Sequence, residues 1–270
     1  MLAPLAFLTC HGKDVAVQTA LAASGFDVKI CDTFNTDSLG TFTGEQVRPL
    51  TQMQTALKKA QMACELTGCQ FGLGSEGAFG PHPQVHLLPW DFEVLAFWDV
   101  EHAHAIYAVH GSADTNFSSQ RVASTEDALS FAKQARFPSH ALILGSPFDD
   151  YFQKGITSDI DFAQRLNEAF KKDASVWIET DMRAHMNPSR MKTIEQTAYK
   201  LQAMLRSHCP QCNLPGFGIT QYLKGALCNA CGTATRLPKA EHWECTQCRH
   251  VEVKALTPTV SAANCDVCNP

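Results

Sequence analysis

The sequence predicts an α/β body followed by a small zinc-binding module, and three observations support this. A short strand, a helix and a second strand follow one another at the start of the chain. Apolar residues make up 45% of the 270 residues, which is enough for one sizeable core. Eight of the twelve cysteines form Cys-x-x-Cys pairs in the last quarter of the chain. We therefore place an α/β body at residues 1–206 and a double zinc ribbon at residues 207–270.

The first β-α-β unit follows from the spacing of apolar residues. Residues 5–8 form a short apolar strand, and residues 14–24 carry small apolar side chains at helical spacing up to Gly25. Residues 26–31 form a second strand directly afterwards. This order predicts a mixed or parallel sheet with helices on its faces.

The rest of the body continues to alternate between strands and helices. A long helix is expected at residues 50–67, because Gly68 provides a natural end. Further strands are predicted at residues 70–73, 93–100, 103–110, 141–144 and 176–178. Further helices are predicted at residues 125–136, 159–172 and 189–206, and the last of them leads directly into the first cysteine pair.

Composition and charge exclude several classes of protein. The net charge of −5 is spread over both signs, so the sequence shows no polyanion-binding surface. No apolar run reaches the roughly 18 to 20 residues that cross a bilayer, and the apolar start lacks the basic residues of a signal peptide. We expect a cytoplasmic protein whose thiols stay reduced and favour metal over disulfides.

The cysteine pairs predict two tetrahedral zinc sites. A two-residue spacer lets both sulfurs of a pair face one ion, and two pairs complete the coordination. Intervals of 15 and 16 residues favour joining the first pair to the second and the third to the fourth. An interleaved arrangement fits the spacing as well, and His208, His242 or His250 could replace a thiolate. The eight cysteines are Cys209, Cys212, Cys228, Cys231, Cys245, Cys248, Cys265 and Cys268.

The module beyond its zinc ions shows little preference for nucleic acid. From Ser207 onward five basic residues stand against four acidic ones, so positive charge is not clustered. The aromatic residues Phe217, Tyr222 and Trp243 suit small cores beside each zinc better than stacking on bases. A structural role or a protein-docking role is favoured.

Two clusters in the body suggest chemistry near the start of the chain. Residues 9–13 form a polar turn between a strand and a helix, where Lys13 and backbone amides favour an anion. Residues 72–83 contain a G-x-G-x-x-G sequence, but Pro81 and Pro83 exclude the helix that a dinucleotide site needs. We expect a glycine-rich loop instead, with Glu76 as a metal ligand or a base. Ordinary turns with solvated side chains are the alternative for both clusters.

The third cluster, residues 179–190, lies between an apolar strand and a helix. Loops at the carboxyl ends of strands commonly hold the functional groups of α/β proteins. Here Asp181, Arg183 and His185 could bind a metal-phosphate group. A salt-bridged helix cap is the alternative interpretation.

Over nearly its whole length the chain resembles a family of uncharacterised bacterial proteins. A TFTGE-type loop, an SEGxFGPHP loop, an ETDMRAHMNP-type stretch, a CPxCxxPG knuckle and a terminal CDxCNP recur in that family. In this chain they are residues 41–45, 75–83, 179–188, 209–216 and 265–270. This resemblance implies no activity.

The first eighty residues also resemble inosine triphosphate pyrophosphatases. Those enzymes hold a nucleoside triphosphate and magnesium with a TxNxxK loop, an ENAxxKA helix and a DDSG loop, which residues 9–13, 54–60 and 74–77 resemble in order. The resemblance implies phosphate contacts for Lys13 and Lys59. The chain departs from it at His11, at Gln54 and at residues 74–75, where the asparagine, the metal-binding glutamate and the paired aspartates would stand.

These observations give one hypothesis for the body and one rival for the whole chain. In the first, the body binds a phosphate-bearing small molecule and hydrolyses a phosphoanhydride with Mg²⁺. The rival is a non-catalytic adaptor whose ribbons dock a protein or nucleic acid. For the first hypothesis, the predicted catalytic residues are Glu45, Glu76, Asp181 and His185, with Glu179 as a further possible carboxylate, and the predicted phosphate-binding residues are His11, Lys13, Lys59 and Arg183.

Overall fold

A computed structural model describes residues 2–34, 50–256 and 259–270. The chain divides into two compact units, Met1–Ala103 with Tyr107–Gln202 and His104–Ile106 with Ala203–Pro270. The predicted fold class is confirmed, because mixed sheets flanked by helices are followed by two cysteine quartets. In the described ranges, no helix has both the length and the apolar character needed to cross a membrane.

The observed elements agree with most of the predicted positions to within a few residues. The helices are α1 (Asp14–Ala22), α2 (Gln52–Thr67), α3 (Thr125–Gln134), α4 (Asp159–Lys172) and α5 (Pro188–Arg206). The first nine strands are β1 (Ala3–Leu8), β2 (Phe26–Cys31), β3 (Phe71–Pro81), β4 (Pro89–Asp99), β5 (His104–Ser112), β6 (Ser119–Val122), β7 (Leu142–Gly145), β8 (Phe152–Ile156) and β9 (Val176–Thr180). The remaining strands are β10 (Phe217–Lys224), β11 (Leu227–Cys228), β12 (Pro238–Cys245), β13 (Val251–Ala255) and β14 (Thr259–Val260).

The five-stranded sheet has the order β2-β1-β3-β4-β5. Strand β1 runs parallel to β2 and β3, whereas β3 and β4 are antiparallel, so the sheet is mixed. Leu5, Phe7 and Leu73 are fully buried in its centre. The parallel part places the turn after β1 beside the middle of β3, because Phe7 pairs with Leu73.

The predicted loop at residues 72–83 is wrong for most of its length. Strand β3 continues to Pro81 and pairs with β4 in unbroken register from Phe71 opposite Asp99 to Pro81 opposite Pro89. Its glycines do not end the strand, because they provide space for α2. A Cβ atom on Gly72 or Gly74 would lie 2.0 Å from a carbonyl oxygen of that helix. The glycine-rich sequence therefore reflects close helix–sheet packing.

A second sheet in the first unit has the order β6-β9-β7-β8 and is antiparallel throughout. Helices α3 and α4 contribute Phe131, Phe162 and Leu166 to its core, beside Leu142 and Ile178. The sequence did not predict β6 or β8. Both are short, and most of their side chains are exposed or only half buried, so no apolar alternation identifies them.

The second unit contains a three-stranded antiparallel sheet of order β10-β12-β13 and a short parallel pair, β11 with β14. Phe217 and Trp243 pack against cysteines at one end of the larger sheet. Within this unit the Nε2 atom of His104 lies 2.7 Å from the hydroxyl of Thr246. The apolar cluster around Phe217 and Trp243 is small.

We predict that Gly74→Ala lowers the stability of the protein by about 1–3 kcal/mol. The new Cβ would meet the carbonyl oxygen of Ala56 at 2.0 Å and the amide nitrogen of Ala60 at 2.7 Å, so α2 must move off the sheet. Urea unfolding measures the change. Gly80→Ala is the matched control on the same strand, because no described atom lies within 4 Å of its Cβ position. Equal unfolding midpoints for the two variants would contradict the packing argument.

Candidate functional site

Two quartets of cysteines stand out in the second unit. One consists of Cys209, Cys212, Cys245 and Cys248, and the other of Cys228, Cys231, Cys265 and Cys268. Within each quartet all four sulfurs lie within 4.8 Å of one another. Each group could therefore hold one metal ion.

The sulfur–sulfur distances fit tetrahedral coordination. They are 3.6 Å for Cys209–Cys248 and 3.7 Å for Cys212–Cys245, and the second quartet has 3.9 Å for Cys228–Cys268 and 3.7 Å for Cys231–Cys265. Four sulfurs about 2.3 Å from a central ion would be about 3.8 Å apart. A disulfide would need about 2.05 Å. The spacing matches a shared ion and excludes disulfides in this state.

The pairing of the cysteine pairs is interleaved, so the favoured sequential pairing is wrong. The first pair shares a quartet with the third, and the second pair with the fourth. Strand β10 separates the first pair from the second by eight residues of extended chain, about 26 Å. Antiparallel pairing then places Phe217, near the first pair, opposite Cys245 of the third. The β11–β14 bridge brings the fourth pair to the second.

Three of the four cysteine pairs form tight turns in which a backbone amide points at sulfur. The amide of Gln211 donates to the sulfur of Cys209, and that of Ala230 to the sulfur of Cys228, both at 3.4 Å. The residue after three of the pairs has a positive φ angle, at Asn213, Gly232 and Arg249. Such amides stabilise thiolates at metal sites.

The three histidines that we considered as alternative ligands have other contacts. Nδ1 of His242 lies 2.9 Å from the hydroxyl of Thr220, and Nδ1 of His208 lies 3.3 Å from a backbone oxygen. His250 lies beside Glu252 and stacks near Phe217. Both quartets are complete with cysteine alone.

In the first unit, the structure brings the three polar clusters of the sequence together. The Nζ atom of Lys13, in the turn after β1, donates to the hydroxyl of Ser75 on β3 at 2.9 Å. The rings of His11 and His185 stack with centroids 5.4 Å apart. Residues from 9–13, 72–83 and 179–190 therefore meet at one end of the sheet.

The sheet separates Lys59 and Glu76 from the rest of the cluster. Glu76 projects towards α2, as do the missing side chains of Gly72 and Gly74, and its carboxylate lies 2.6 Å from the Nζ atom of Lys59. Ser75 projects to the opposite face with Lys13. The loop position that we predicted for Glu76 is thus wrong, and its charge is balanced by a buried lysine.

Asp181 and Arg183 also pair with each other. Asp181 is fully buried and accepts hydrogen bonds from the guanidinium of Arg183 at 2.6 Å and from the amide of Gly155 at 3.1 Å. Burial and the charge of Arg183 lower the pKa of His185, which favours its neutral form. Glu45 lies outside the described residues.

Gln54 closes the first turn of α2. Its side-chain oxygen accepts from the amide of Thr51 at 3.0 Å, and the Thr51 hydroxyl accepts from the amide of Gln54 in return. This reciprocal arrangement is a capping box, which stabilises the start of a helix. The capping role accounts for a glutamine at this position without any metal.

The sequence analysis missed two acidic residues of a deeply buried polar group in the body. Asp91 and Glu93 on β4 and Arg190 on α5 are almost completely buried, and the Nε atom of Arg190 donates to Glu93 at 2.6 Å. Gly77 leaves space for this pair, since a Cβ there would lie 2.4 Å from the Glu93 carboxylate. The available signal was two acidic residues at alternate positions directly before the apolar residues 94–98.

With this geometry established, comparison with known proteins places the chain in a family. Residues 59–270 match the model of a family described as a domain of unknown function, DUF6671. The chain belongs to this family. The predicted membership of an uncharacterised family is thereby confirmed. Neither a curated protein nor a solved structure matches the chain.

Burial shifts the titration of two groups in the buried site. It lowers the pKa of Lys13 to about 7, and the charge of Arg190 lowers it further while Glu93 opposes the change. Burial also raises the pKa of Asp91 to about 7, with a further rise from Glu93. Arg190 and the nearby hydroxyl of Thr193 oppose the rise, although neither Asp91 oxygen meets hydrogen-bond geometry with a described residue.

We predict that Lys13→Met raises the melting temperature at pH 6 and that this gain shrinks steadily towards pH 10. The pKa of Lys13 is about 7 in the folded protein and about 10.5 in the unfolded chain, so the unfolded state binds the extra proton between these values. Wild-type stability therefore gains from rising pH in this window, and the variant lacks that gain.

Differential scanning fluorimetry across pH measures this effect. The exposed Lys58→Met is the matched control, and its melting temperature should follow the wild type at every pH. A difference between Lys13→Met and wild type that does not change with pH would contradict the assignment.

Proposed function

We propose that the second unit is a zinc-binding module with two structural Zn²⁺ ions. The observation that supports it is the gathering of eight thiols into two groups with sulfur spacings that fit a tetrahedron, in which three of the four cysteine turns direct a backbone amide at sulfur. Four thiolates in a tetrahedron select Zn²⁺ or iron–sulfur chemistry, and closed Cys₄ sites are the usual form of structural zinc. This role suits the cytosol, where thiols stay reduced.

Zinc would supply stability that the module's own packing cannot provide. Beside the first quartet, Phe217, Trp243 and the cysteines form a small apolar cluster. Small units of this kind commonly depend on metal for folding. The ions thus stand in for a hydrophobic core.

We further propose that the body binds a phosphate-bearing small molecule and hydrolyses a phosphoanhydride bond. Support comes from the turn after β1, where Lys13 lies with Arg190 near the carboxyl end of a parallel strand. Cationic groups placed there suit an anionic ligand. The predicted catalytic role of Glu76 and Asp181 is not favoured, because each carboxylate is paired with a neighbouring cation.

For the zinc module, we predict about two zinc ions per chain by elemental analysis of the purified protein. The interleaved pairing makes a sharper prediction for double variants. Cys212→Ser with Cys245→Ser removes ligands of one quartet and should leave about one ion. Cys212→Ser with Cys231→Ser damages both quartets and should leave almost none. Sequential pairing would give the reverse result, and iron in place of zinc would overturn the choice of metal.

For the body, we predict that pyrophosphate or a nucleoside triphosphate raises the melting temperature of the wild type by several degrees, because a ligand of the native state stabilises it by mass action. The rise should be lost in Lys13→Met and kept in Lys58→Met. Release of phosphate in the presence of Mg²⁺ then tests hydrolysis. If no phosphate compound changes the melting temperature, the body does not have this function and an adaptor role is favoured.

A further inference from the structure

We propose that Asp91 and Glu93 bind a divalent metal ion of the Mg²⁺ or Mn²⁺ class in the first unit. The site is separate from both cysteine quartets. This site deepens the proposed hydrolase function, and its biological role rests on that function. Asp91 and Glu93 would hold the metal ion that Glu76 and Asp181 are not placed to bind. The proposal itself depends on four features of the described residues.

The first feature is a set of buried carboxylate oxygens that lack hydrogen bonds. The side chains of Asp91 and Glu93 are 0% and 1% exposed. Among the described residues, no hydrogen-bond partner is found for either oxygen of Asp91 or for the Oε2 atom of Glu93. Leaving such groups unsatisfied costs free energy, so native structures usually provide water, an ion or a ligand.

The second feature is that the side chains of Asp91 and Glu93 point in the same direction. Residues at alternate positions of a strand project to the same face, so Asp91 and Glu93 lie side by side on β4. Glu93 stands opposite Gly77 across the β3–β4 pair, where the absence of a side chain leaves room. On the same side, α5 brings the hydroxyl of Thr193 close to Asp91. One face thus presents two carboxylates and a hydroxyl.

The third feature is the seal against solvent. The unpartnered oxygens are closed to water, which excludes bulky cations. A Mg²⁺ ion usually keeps several waters, so the face must open far enough to admit the ion with part of its water shell. The ion itself is small, with ligand oxygens at about 2.0–2.1 Å. Carboxylate and hydroxyl oxygens select hard ions, whereas the thiolates of the quartets select zinc, so the two kinds of site do not compete.

The fourth feature is the distribution of positive charge around the pair. Arg190 neutralises one oxygen of Glu93 at 2.6 Å, and Lys13 is held by Ser75 on the same face of the sheet. The two carboxylates face these two cationic side chains, so a bound divalent ion would give the face a net positive charge, which suits an anionic phosphate ligand. Lysine and arginine beside a carboxylate-bound metal are the groups that commonly complete a phosphate site.

The test uses full-length, zinc-loaded protein freed of other divalent ions, with Mn²⁺ as the probe. We expect electron paramagnetic resonance to show one saturable Mn²⁺ per chain. Asp91→Asn keeps the shape of the side chain and removes its charge, so it should weaken Mn²⁺ binding at least ~10-fold. Asp27→Asn changes a partly exposed carboxylate that pairs with Lys29, so it is the control and should bind as the wild type does.

Several outcomes would overturn the proposal. The first is a wild-type protein that binds no Mn²⁺ at millimolar concentration. This result would overturn the proposal whether or not the variant folds. Equal Mn²⁺ affinity in Asp91→Asn would place the ion elsewhere. An infrared band of a protonated carboxyl group that persists with Mn²⁺ and disappears in Asp91→Asn would show that the pair holds a proton instead.

Failure of this proposal can be separated from failure of the proposed function. A pyrophosphate response that needs Lys13 but no metal would preserve phosphate binding and reject the metal site. Saturable Mn²⁺ binding that needs Asp91, without any response to phosphate compounds, would preserve the metal site and reject the hydrolase role.

Discussion

The buried ion pair between Arg190 and Glu93 fixes the geometry of the body's polar site. It joins the first turn of α5 to the middle of β4, and Arg190 also donates to the backbone oxygen of Met182. Because its charges are sealed from water, the pair pays a large desolvation cost and contributes little net stability. Its effect is positional. The segment after β9 is held beside the sheet, where His185 meets His11.

Most of the fold could be predicted from the sequence, because local periodicity and glycine positions determine where long elements begin and end. Helix α4 has the predicted bounds, and α2 ends at Gly68 as expected. The errors occur where tertiary contacts override local signals. In β3 the glycines look like a loop, yet they form a flat strand surface against which the backbone of α2 packs. Only knowledge of the partner helix reveals this.

The candidate sites show the same division between local and long-range information. Spacing identifies all eight cysteines of the two quartets, because both sulfurs of a pair come from one turn. It cannot give their pairing, which depends on the length and direction of β10 and β12. In the body, the sequence indicated Lys13 and the segment around His185 but missed Asp91 and Glu93. Their importance comes from complete burial, which no short motif encodes.

The two units differ in the role of their ionisable side chains. In the second unit, thiols at tetrahedral spacing could hold two ions, and the apolar cluster beside the first quartet is small. In the first unit, large apolar clusters already secure the fold, so the buried carboxylates and Lys13 are not needed for stability. A group that is costly to bury and unnecessary for folding points to binding or chemistry. That contrast favours a structural role for the quartets and a functional role for the face that carries Lys13, Asp91 and Glu93.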